Sequence, residues 1–292
     1  MNEVDQLGKL SVRNITTSLP FNKIDQAQIQ LRVQDTKSIN YVGLQLKTRF
    51  NVKQEGVLRV LTGCTMLPNG NLLIADYYGK NVLIEYNEDG KHIRDIPCSD
   101  SPFDLTVMDT ERIAVTYAND VADDIEFLII KNNTIEKKVN LNSICNGILC
   151  QDNKLFIVIE DGIVITDIAG KVLKQLIVDC DSCIGTTKDR INFTVKDDQT
   201  VHCISMTGEE ILVRKEESLV HPSGITVDDH QNVFVVDRDS NSLIVIQHDG
   251  RSSITLLSET DGLVNPRSLH YNKDKKVFLL CDGNGCALYN LG

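Results

Sequence analysis

One short pattern occurs twice in the chain and limits its fold more than any other feature. Residues 63–76, GCTMLPNGNLLIAD, return as residues 224–237, GITVDDHQNVFVVD. Each copy has the form of a short strand, a polar turn, a second strand and a final aspartate. The offset of 161 residues equals about four periods of forty, and a small β-unit repeated at that period is typical of a β-propeller.

Weaker copies of the pattern keep the same phase through the rest of the chain. They follow one another every 38 to 44 residues, which is the variation expected when loop lengths differ and strand lengths do not. The positions equivalent to Gly63 are Asp104, Gly147, Gly185, Gly224 and Ser268.

Most copies continue with a third apolar run, a tight turn and a fourth strand. Glycine provides the positive φ angle that such hairpin turns need, and four short strands joined by hairpins form one propeller blade. The turn glycines are Gly90, Gly170, Gly208 and Gly250.

The last unit is one strand short, because the chain ends at Gly292 after the run CALYNL. Residues 42–50, VGLQLKTRF, alternate apolar and polar side chains and precede the first unit. We expect this segment to complete the last blade and close the ring, since an open blade edge would leave backbone groups unpaired. The sequence therefore predicts an all-β, six-bladed β-propeller over residues 42–292, with four antiparallel strands per blade, and a leader over residues 1–41.

Charge and composition narrow the classes of function. Residues 1–60 carry nine Lys/Arg and five Asp/Glu, whereas the remaining residues carry 21 and 36, a net charge of −15. An acidic body argues against nucleic-acid binding through a broad basic face, because phosphate contacts provide most of that affinity. The N-terminus has no apolar signal-peptide core and no run is long enough to span a membrane, so we expect a cytoplasmic protein. Nine cysteines, an odd number, predict free thiols rather than a disulfide framework.

Two segments, ADYYGKNVLIEYNEDGK and VVDRDSNSLIVIQHDGR, resemble the NHL repeat, in which Asp, a few small or polar residues and Asn separate two strands. Asp76 with Asn81 and Asp237 with Asn241 fit that pattern, and HPSGI at His221 resembles its Pro-x-Gly-Ile opening. With the leader motifs QAQI, KSI and LQLKTR, the arrangement resembles the C-terminal part of tripartite-motif and B-box proteins of the invertebrate, mollusc-like type.

The resemblance implies a non-catalytic module that recognises a protein partner, such as the substrate of a ubiquitin ligase. The RING and B-box zinc modules of those proteins are missing from this sequence, so ubiquitin transfer would need a part outside it. RNA is the alternative ligand, disfavoured by the acidic body. Oligomerisation through a missing upstream segment is a separate expectation.

In a propeller, the loops from the second to the third strand of each blade and the loops between blades open on the same face. Tyr and Arg are frequent among binding hot spots, and this chain is poor in aromatic residues, so those on this face are the candidates for binding. The predicted binding residues are Tyr77, Tyr78, Lys80, Phe103, Tyr117, Asn119, His221, Arg238 and Arg267.

No catalytic residue, metal or cofactor is predicted. Asp76 and Asp237 are expected to form turns by accepting backbone N–H bonds. The alternative is a hydrolase with a metal in the central channel, for which Glu160, Asp197 and Asp237 fall at equivalent strand ends.

We expect the paired cysteines of the sequence to have structural roles, not redox or zinc-binding ones. Cys180 and Cys183 form a CxxC motif, but no helix start follows that would lower a thiol pKa. Cys145 with Cys150 and Cys281 with Cys286 share a five-residue spacing, but the two pairs fall at different places in their blades, so the shared spacing is interpreted as coincidence.

Overall fold

The computed structural model describes residues 39–52, 60–118, 124–180 and 183–292. The chain divides into two units, residues 1–36 and 37–292, and the described residues belong to the second. The predicted leader therefore lies almost wholly outside the described residues. Its last three residues, Ile39–Tyr41, form a 3-10 helix whose Ile39 is buried.

The described residues form six four-stranded sheets arranged as the blades of a propeller. In chain order, β1 (Leu44–Phe50) comes first. Blade one contains β2 (Leu61–Met66), β3 (Leu72–Asp76), β4 (Val82–Tyr86) and β5 (His92–Pro97). Blade two contains β6 (Asp104–Val107), β7 (Arg112–Thr116), β8 (Asp124–Ile129) and β9 (Thr134–Asn140). Blade three contains β10 (Cys145–Gln151), β11 (Lys154–Ile159), β12 (Gly162–Asp167) and β13 (Val172–Leu176).

The second half of the ring repeats this arrangement. Blade four contains β14 (Ile184–Thr186), β15 (Arg190–Val195), β16 (Thr200–Ser205) and β17 (Glu210–Lys215). Blade five contains β18 (Pro222–Val227), β19 (Val233–Asp237), β20 (Ser242–Ile246) and β21 (Ser253–Leu257). A second 3-10 helix, Glu259–Asp261, precedes blade six, which contains β22 (Ser268–Asn272), β23 (Val277–Asp282) and β24 (Gly285–Leu291).

The predicted closure of the ring is confirmed. β1 pairs antiparallel with β24, from Leu44 opposite Leu291 to Phe50 opposite Cys286, and becomes the fourth strand of blade six. Phe50 then packs on Tyr86 of blade one, with their ring centroids 4.9 Å apart. The first strand of the described chain therefore joins the last blade to the first.

The repeat marker lies in the innermost strand of each blade, and each innermost strand contacts those on either side of it. A Cβ atom on Gly63 would lie 2.7 Å from the Asp104 Cα of the next blade. At Gly63 and Gly224 the neighbouring innermost strand comes too close for a side chain, whereas the equivalent positions in blades two and six accommodate Asp104 and Ser268. The predicted turn glycines are confirmed as well, since Gly90, Gly170, Gly208 and Gly250 all have positive φ angles.

The hydrophobic core lies between the blades. Six clusters of buried apolar side chains each fill one blade-to-blade interface, so the ring has no single centre of packing. Ile39 of the leader belongs to the cluster between blades five and six. Among the described residues, no helix is long and apolar enough to cross a bilayer.

The expectation of free thiols is wrong for one pair of cysteines. Cys281 and Cys286 form a disulfide across the β23–β24 hairpin. Asp282 pairs with Gly285 at the end of that hairpin, which places the two cysteines directly opposite each other in the ladder. The spacing of this pair therefore has a structural reason in the strand register, whereas Cys145 and Cys150, which have the same spacing, are both thiols.

Candidate functional site

Asp76 and Asp237, the aspartates that end the two clearest copies of the repeat, have a structural role, as predicted. Asp237 is fully buried, and its carboxylate accepts backbone N–H bonds from Val220 (2.7 Å), His221 (2.6 Å) and Ser240 (2.8 Å). Asp76 accepts the backbone N–H of Val60 in the same way (3.4 Å). Each aspartate therefore ties the end of a second strand to the segment that enters its own blade.

Blade six also has a turn aspartate that accepts backbone N–H bonds, although its sequence, CDGNGC, departs from the repeat. Asp282 accepts the backbone N–H bonds of Asn284 (2.8 Å) and Val264 (3.4 Å). It also pairs with Arg49 of β1, whose Nη1 lies 3.0 Å from the carboxylate. The turn aspartate of the last blade thus holds the closing strand as well.

We expect replacement of Asp237 by alanine to lower the free energy of unfolding by about 2–3 kcal/mol, because three backbone N–H groups lose their acceptor. Asp197 is the matched control: it lies in the equivalent loop of blade four and is exposed. Its replacement by alanine should change the free energy by less than about 0.5 kcal/mol. Urea unfolding of both variants measures the difference, and equal losses would contradict the structural role of Asp237.

The face that carries the predicted binding residues is formed by the loops between the second and third strands and by the loops between blades; we call it the loop face. On it, Tyr77, Tyr78 and Phe103 form an aromatic cluster. The rings of Tyr77 and Tyr78 are 5.1 Å apart, and Phe103 meets Tyr77 edge-on at 5.7 Å. Tyr78 is 62% exposed although it belongs to this cluster.

A second group on the loop face is charged. Arg238 pairs with Asp239 (2.7 Å) and donates a hydrogen bond to Nδ1 of His221 (3.0 Å). Because arginine cannot accept, His221 must carry its lone pair on Nδ1. Burial lowers the pKa of His221, and the positive charges of Arg238 and Lys196 lower it further, so the ring is neutral.

Arg267 lies between the aromatic and the charged groups. It is close enough to Arg238, Tyr78 and Asp239 to interact with all three electrostatically. Burial lowers the pKa of its guanidinium, and the charge of Arg238 lowers it further. The sequence located Arg267 on this face, but it gave no indication that Asp239 and Lys196 complete the same group.

Three predicted residues stand apart from these groups. Tyr117 is 1% exposed, so its assignment to the binding rim is corrected: the side chain lies in the core, where its hydroxyl bonds the buried carboxylate of Glu126. Lys80 is exposed in the β3–β4 loop. Asn119 lies outside the described residues.

The alternative metal-dependent site does not assemble. Asp237 uses its carboxylate for backbone bonds, while Glu160 and Asp197 are exposed. Within the ranges that the structure describes, no three His, Cys, Asp or Glu side chains are grouped so that they could hold a metal ion. In the CxxC segment, Cys183 donates its S–H to the Ser223 carbonyl (2.7 Å) of the neighbouring blade, which is a structural contact.

A central channel of about 410 Å³ runs along the innermost strands. Two titratable side chains on its wall were not found from the sequence. Burial lowers the pKa of His270 to about 4, so this histidine is neutral. Burial also raises the pKa of Asp104 to about 7, although its carboxylate accepts the backbone N–H bonds of Leu105 and Ile148 at 2.8 and 2.9 Å.

Comparison with known proteins shows the fold. No protein-family model and no curated protein matches the chain. Among solved structures, it is similar to virginiamycin B lyase from Staphylococcus aureus, with 16% identity and a TM-score of 0.60 over 85% of this chain and 98% of that one. A streptogramin B lyase has 14% identity and a TM-score of 0.62 over 86% and 98% of the two chains. A protein of unknown function from Bacteroides thetaiotaomicron has 12% identity and a TM-score of 0.65 over 86% and 76%.

At these identities the likeness establishes a β-propeller and nothing finer. Propellers support both enzymes and binding modules, so function has to be argued from the side chains of the site.

Proposed function

We propose that the ring is a non-catalytic module that recognises a partner protein through its loop face. The observation that carries this proposal is the aromatic cluster, in which the exposed ring of Tyr78 packs on Tyr77 and Tyr77 in turn packs on Phe103. An exposed, supported tyrosine loses little conformational freedom on binding and buries a large area, which is why such residues dominate interface energetics. The neighbouring arginines supply directional hydrogen bonds at the edge of the same surface.

The NHL-like turn patterns at Asp76 and Asp237 support a finer version of this proposal. In it, the ring is the substrate-recognition part of a tripartite-motif or B-box type protein related to ubiquitin ligases. The reading frame upstream of the chain tests this version, because a RING or B-box sequence there would supply the zinc modules that the version requires.

The test of partner recognition compares two exposed tyrosines on opposite faces. Tyr41, 79% exposed, precedes the end of β1 that pairs with Leu291, away from the loop face. In affinity capture from an extract of the source organism, Tyr78→Ala should reduce recovery of the partner about tenfold or more, as expected for a hot-spot residue, whereas Tyr41→Ala should not. Retention of the same proteins by Tyr78→Ala would contradict recognition at the loop face.

RNA is the competing ligand, because bases also stack on tyrosine and arginine side chains. The net charge of −15 on residues 61–292 disfavours it. Nuclease treatment before capture distinguishes the two, since an RNA-bridged partner would be lost and a directly bound protein would be kept. Any RNA binding should also weaken steeply with salt.

A further inference from the structure

Arg267 is a half-buried cation for which the described part of the chain provides no acceptor. Among the described residues, no oxygen lies within hydrogen-bond or ion-pair distance of its guanidinium, although its backbone N–H bonds the Cys281 carbonyl at 3.0 Å. Other partly buried arginines of the ring are satisfied: Arg94 bonds Glu85 (2.6 Å), and Arg214 bonds Glu216 (3.0 Å). A guanidinium that has lost part of its hydration and gained no partner is costly unless a ligand completes it.

The surroundings of Arg267 favour an anion in this position. Arg238 and Tyr78 flank it, and Arg238 adds a second positive charge that disfavours the free state. Burial and this repulsion both lower the pKa of Arg267, yet an arginine remains charged at neutral pH. A carboxylate bound here would relieve the repulsion and accept two parallel N–H bonds from the planar guanidinium.

The pairing of the two guanidinium groups favours a carboxylate. Arg238 is already paired with Asp239, whereas the guanidinium of Arg267 has no acceptor among the described residues, and Lys196 adds positive potential at Asp239 and His221 from the side of blade four. A dianionic phosphate would face the carboxylate of Asp239 and a body of net charge −15. A single carboxylate matches the one guanidinium that lacks an acceptor among the described residues, and it meets less repulsion from Asp239 than a dianion does.

We infer that Arg267 is the anchor for a carboxylate side chain on an acidic segment of the partner protein, with the adjacent residue of that segment packing on Tyr78. The inference rests on the proposed function, because it names the chemistry of the partner at the same loop face. Arg238 and Lys196 provide the surrounding positive potential, on a ring whose residues 61–292 carry a net charge of −15.

The test uses a fluorescein-labelled peptide in which glutamate alternates with leucine, so that a carboxylate and an apolar side chain are both presented. Fluorescence anisotropy should show that the glutamate peptide binds to the unmodified protein. The peptide with glutamine in place of glutamate should bind with an affinity at least about tenfold lower. Arg267→Gln should weaken binding of the glutamate peptide by a similar factor. The affinity of Arg267→Lys for the glutamate peptide should lie between that of the unmodified protein and that of Arg267→Gln, because lysine keeps the charge and loses the planar guanidinium.

Arg251→Gln is the matched control. It makes the same change of charge in the β20–β21 turn, on the opposite face, where the side chain is 86% exposed. Equal binding of the glutamate peptide by Arg267→Gln and the unmodified protein, or binding of the peptide only with phosphoserine in place of glutamate, would overturn the inference. So would absence of binding to the unmodified protein. Dependence of partner capture on Tyr78 would in each case leave the proposed function standing.

Denaturation without peptide gives a second readout. Because Arg267 has no partner within the described part of the chain, Arg267→Gln should unfold at the same denaturant concentration as the unmodified protein or at a higher one. A lower midpoint would show that Arg267 holds the fold together, and it would overturn its role as an anchor for a ligand.

Discussion

Replacement of Gly285 by alanine is expected to lower the free energy of unfolding by about 3–5 kcal/mol. Gly285 begins β24 with a φ angle of 130°, a conformation that residues with a side chain rarely adopt. The added Cβ would collide with the Phe50 carbonyl oxygen and lie 2.9 Å from the Asn51 Cα. Both atoms belong to the backbone at the end of the closing strand, so the clash cannot be relieved by a side-chain rotation.

The loss should be large because the closing strand joins two blades. Displacing Phe50 disturbs its pairing opposite Cys286 and its packing on Tyr86. Backbone strain at the glycine costs about 1–3 kcal/mol, and forcing an atom into a packed site costs about as much again.

Gly262→Ala separates the two contributions. Gly262 also has a positive φ angle, 82°, but no atom lies within 4 Å of the position of its Cβ. This variant should lose only about 1 kcal/mol, the cost of the left-handed conformation itself. Guanidinium unfolding measures both changes. Equal losses would show that Gly285 is not pressed against the closing strand.

The fold was accessible from the sequence because its determinants are local and repeated. Glycine is needed where two innermost strands approach closely, as at Gly63 and Gly224, and at positive φ in four hairpin turns. Because these requirements recur at intervals of about forty residues, several weak copies together indicate the repeat. The closing strand followed from the same logic, since one blade lacked a strand and VGLQLKTRF alternated correctly. The disulfide was also within reach: Cys281 and Cys286 flank a hairpin turn, and strand register sets them opposite each other.

The repeat pattern could not predict which side chains on the loop face are exposed and which are buried. Tyr77 and Tyr117 occupy equivalent positions, each directly after the second strand of a blade. Tyr77 reaches the loop face and donates to the Ala118 carbonyl (3.3 Å), whereas Tyr117 turns inward to Glu126, which also pairs with Lys138 (2.6 Å). The buried carboxylate on β8 determines which way the ring points, and the repeat pattern has no information about it.

The sequence also could not predict which charged side chains of different blades lie near one another. Arg267, Arg238 and Lys196 belong to three blades and lie far apart in the sequence. Only the closed ring brings them near one another and leaves Arg267 without an acceptor among the described residues. The sequence could select arginines on the loop face, but it could not distinguish the paired one from the unpaired one.

As the pH rises from 4 to 8, the free energy of unfolding of the unmodified protein is expected to fall relative to that of an Asp104→Asn variant. The expected fall is about 2–4 kcal/mol. Burial raises the pKa of Asp104 from an ordinary 3.8 to about 7 in the folded protein. The folded state therefore holds this proton over a range of pH in which the unfolded chain has released it. The contribution of this proton to the free energy of unfolding is complete below pH 4. It is lost as the pH rises through 7, because the folded protein must then ionise the Asp104 carboxyl group on the channel wall.

The slope with pH is the decisive quantity, and not the stability at any one pH. In Asp104→Asn, the amide oxygen can accept only one of the N–H bonds from Leu105 and Ile148, which costs the variant a constant amount at every pH. Urea unfolding of both proteins at intervals between pH 4 and pH 8 separates this constant from the titration. We expect the two stability curves to converge or cross as the pH rises. Parallel curves would mean that Asp104 titrates at the same pH in the folded and unfolded chains, and that its place beside Gly63 in the innermost ring carries no electrostatic cost.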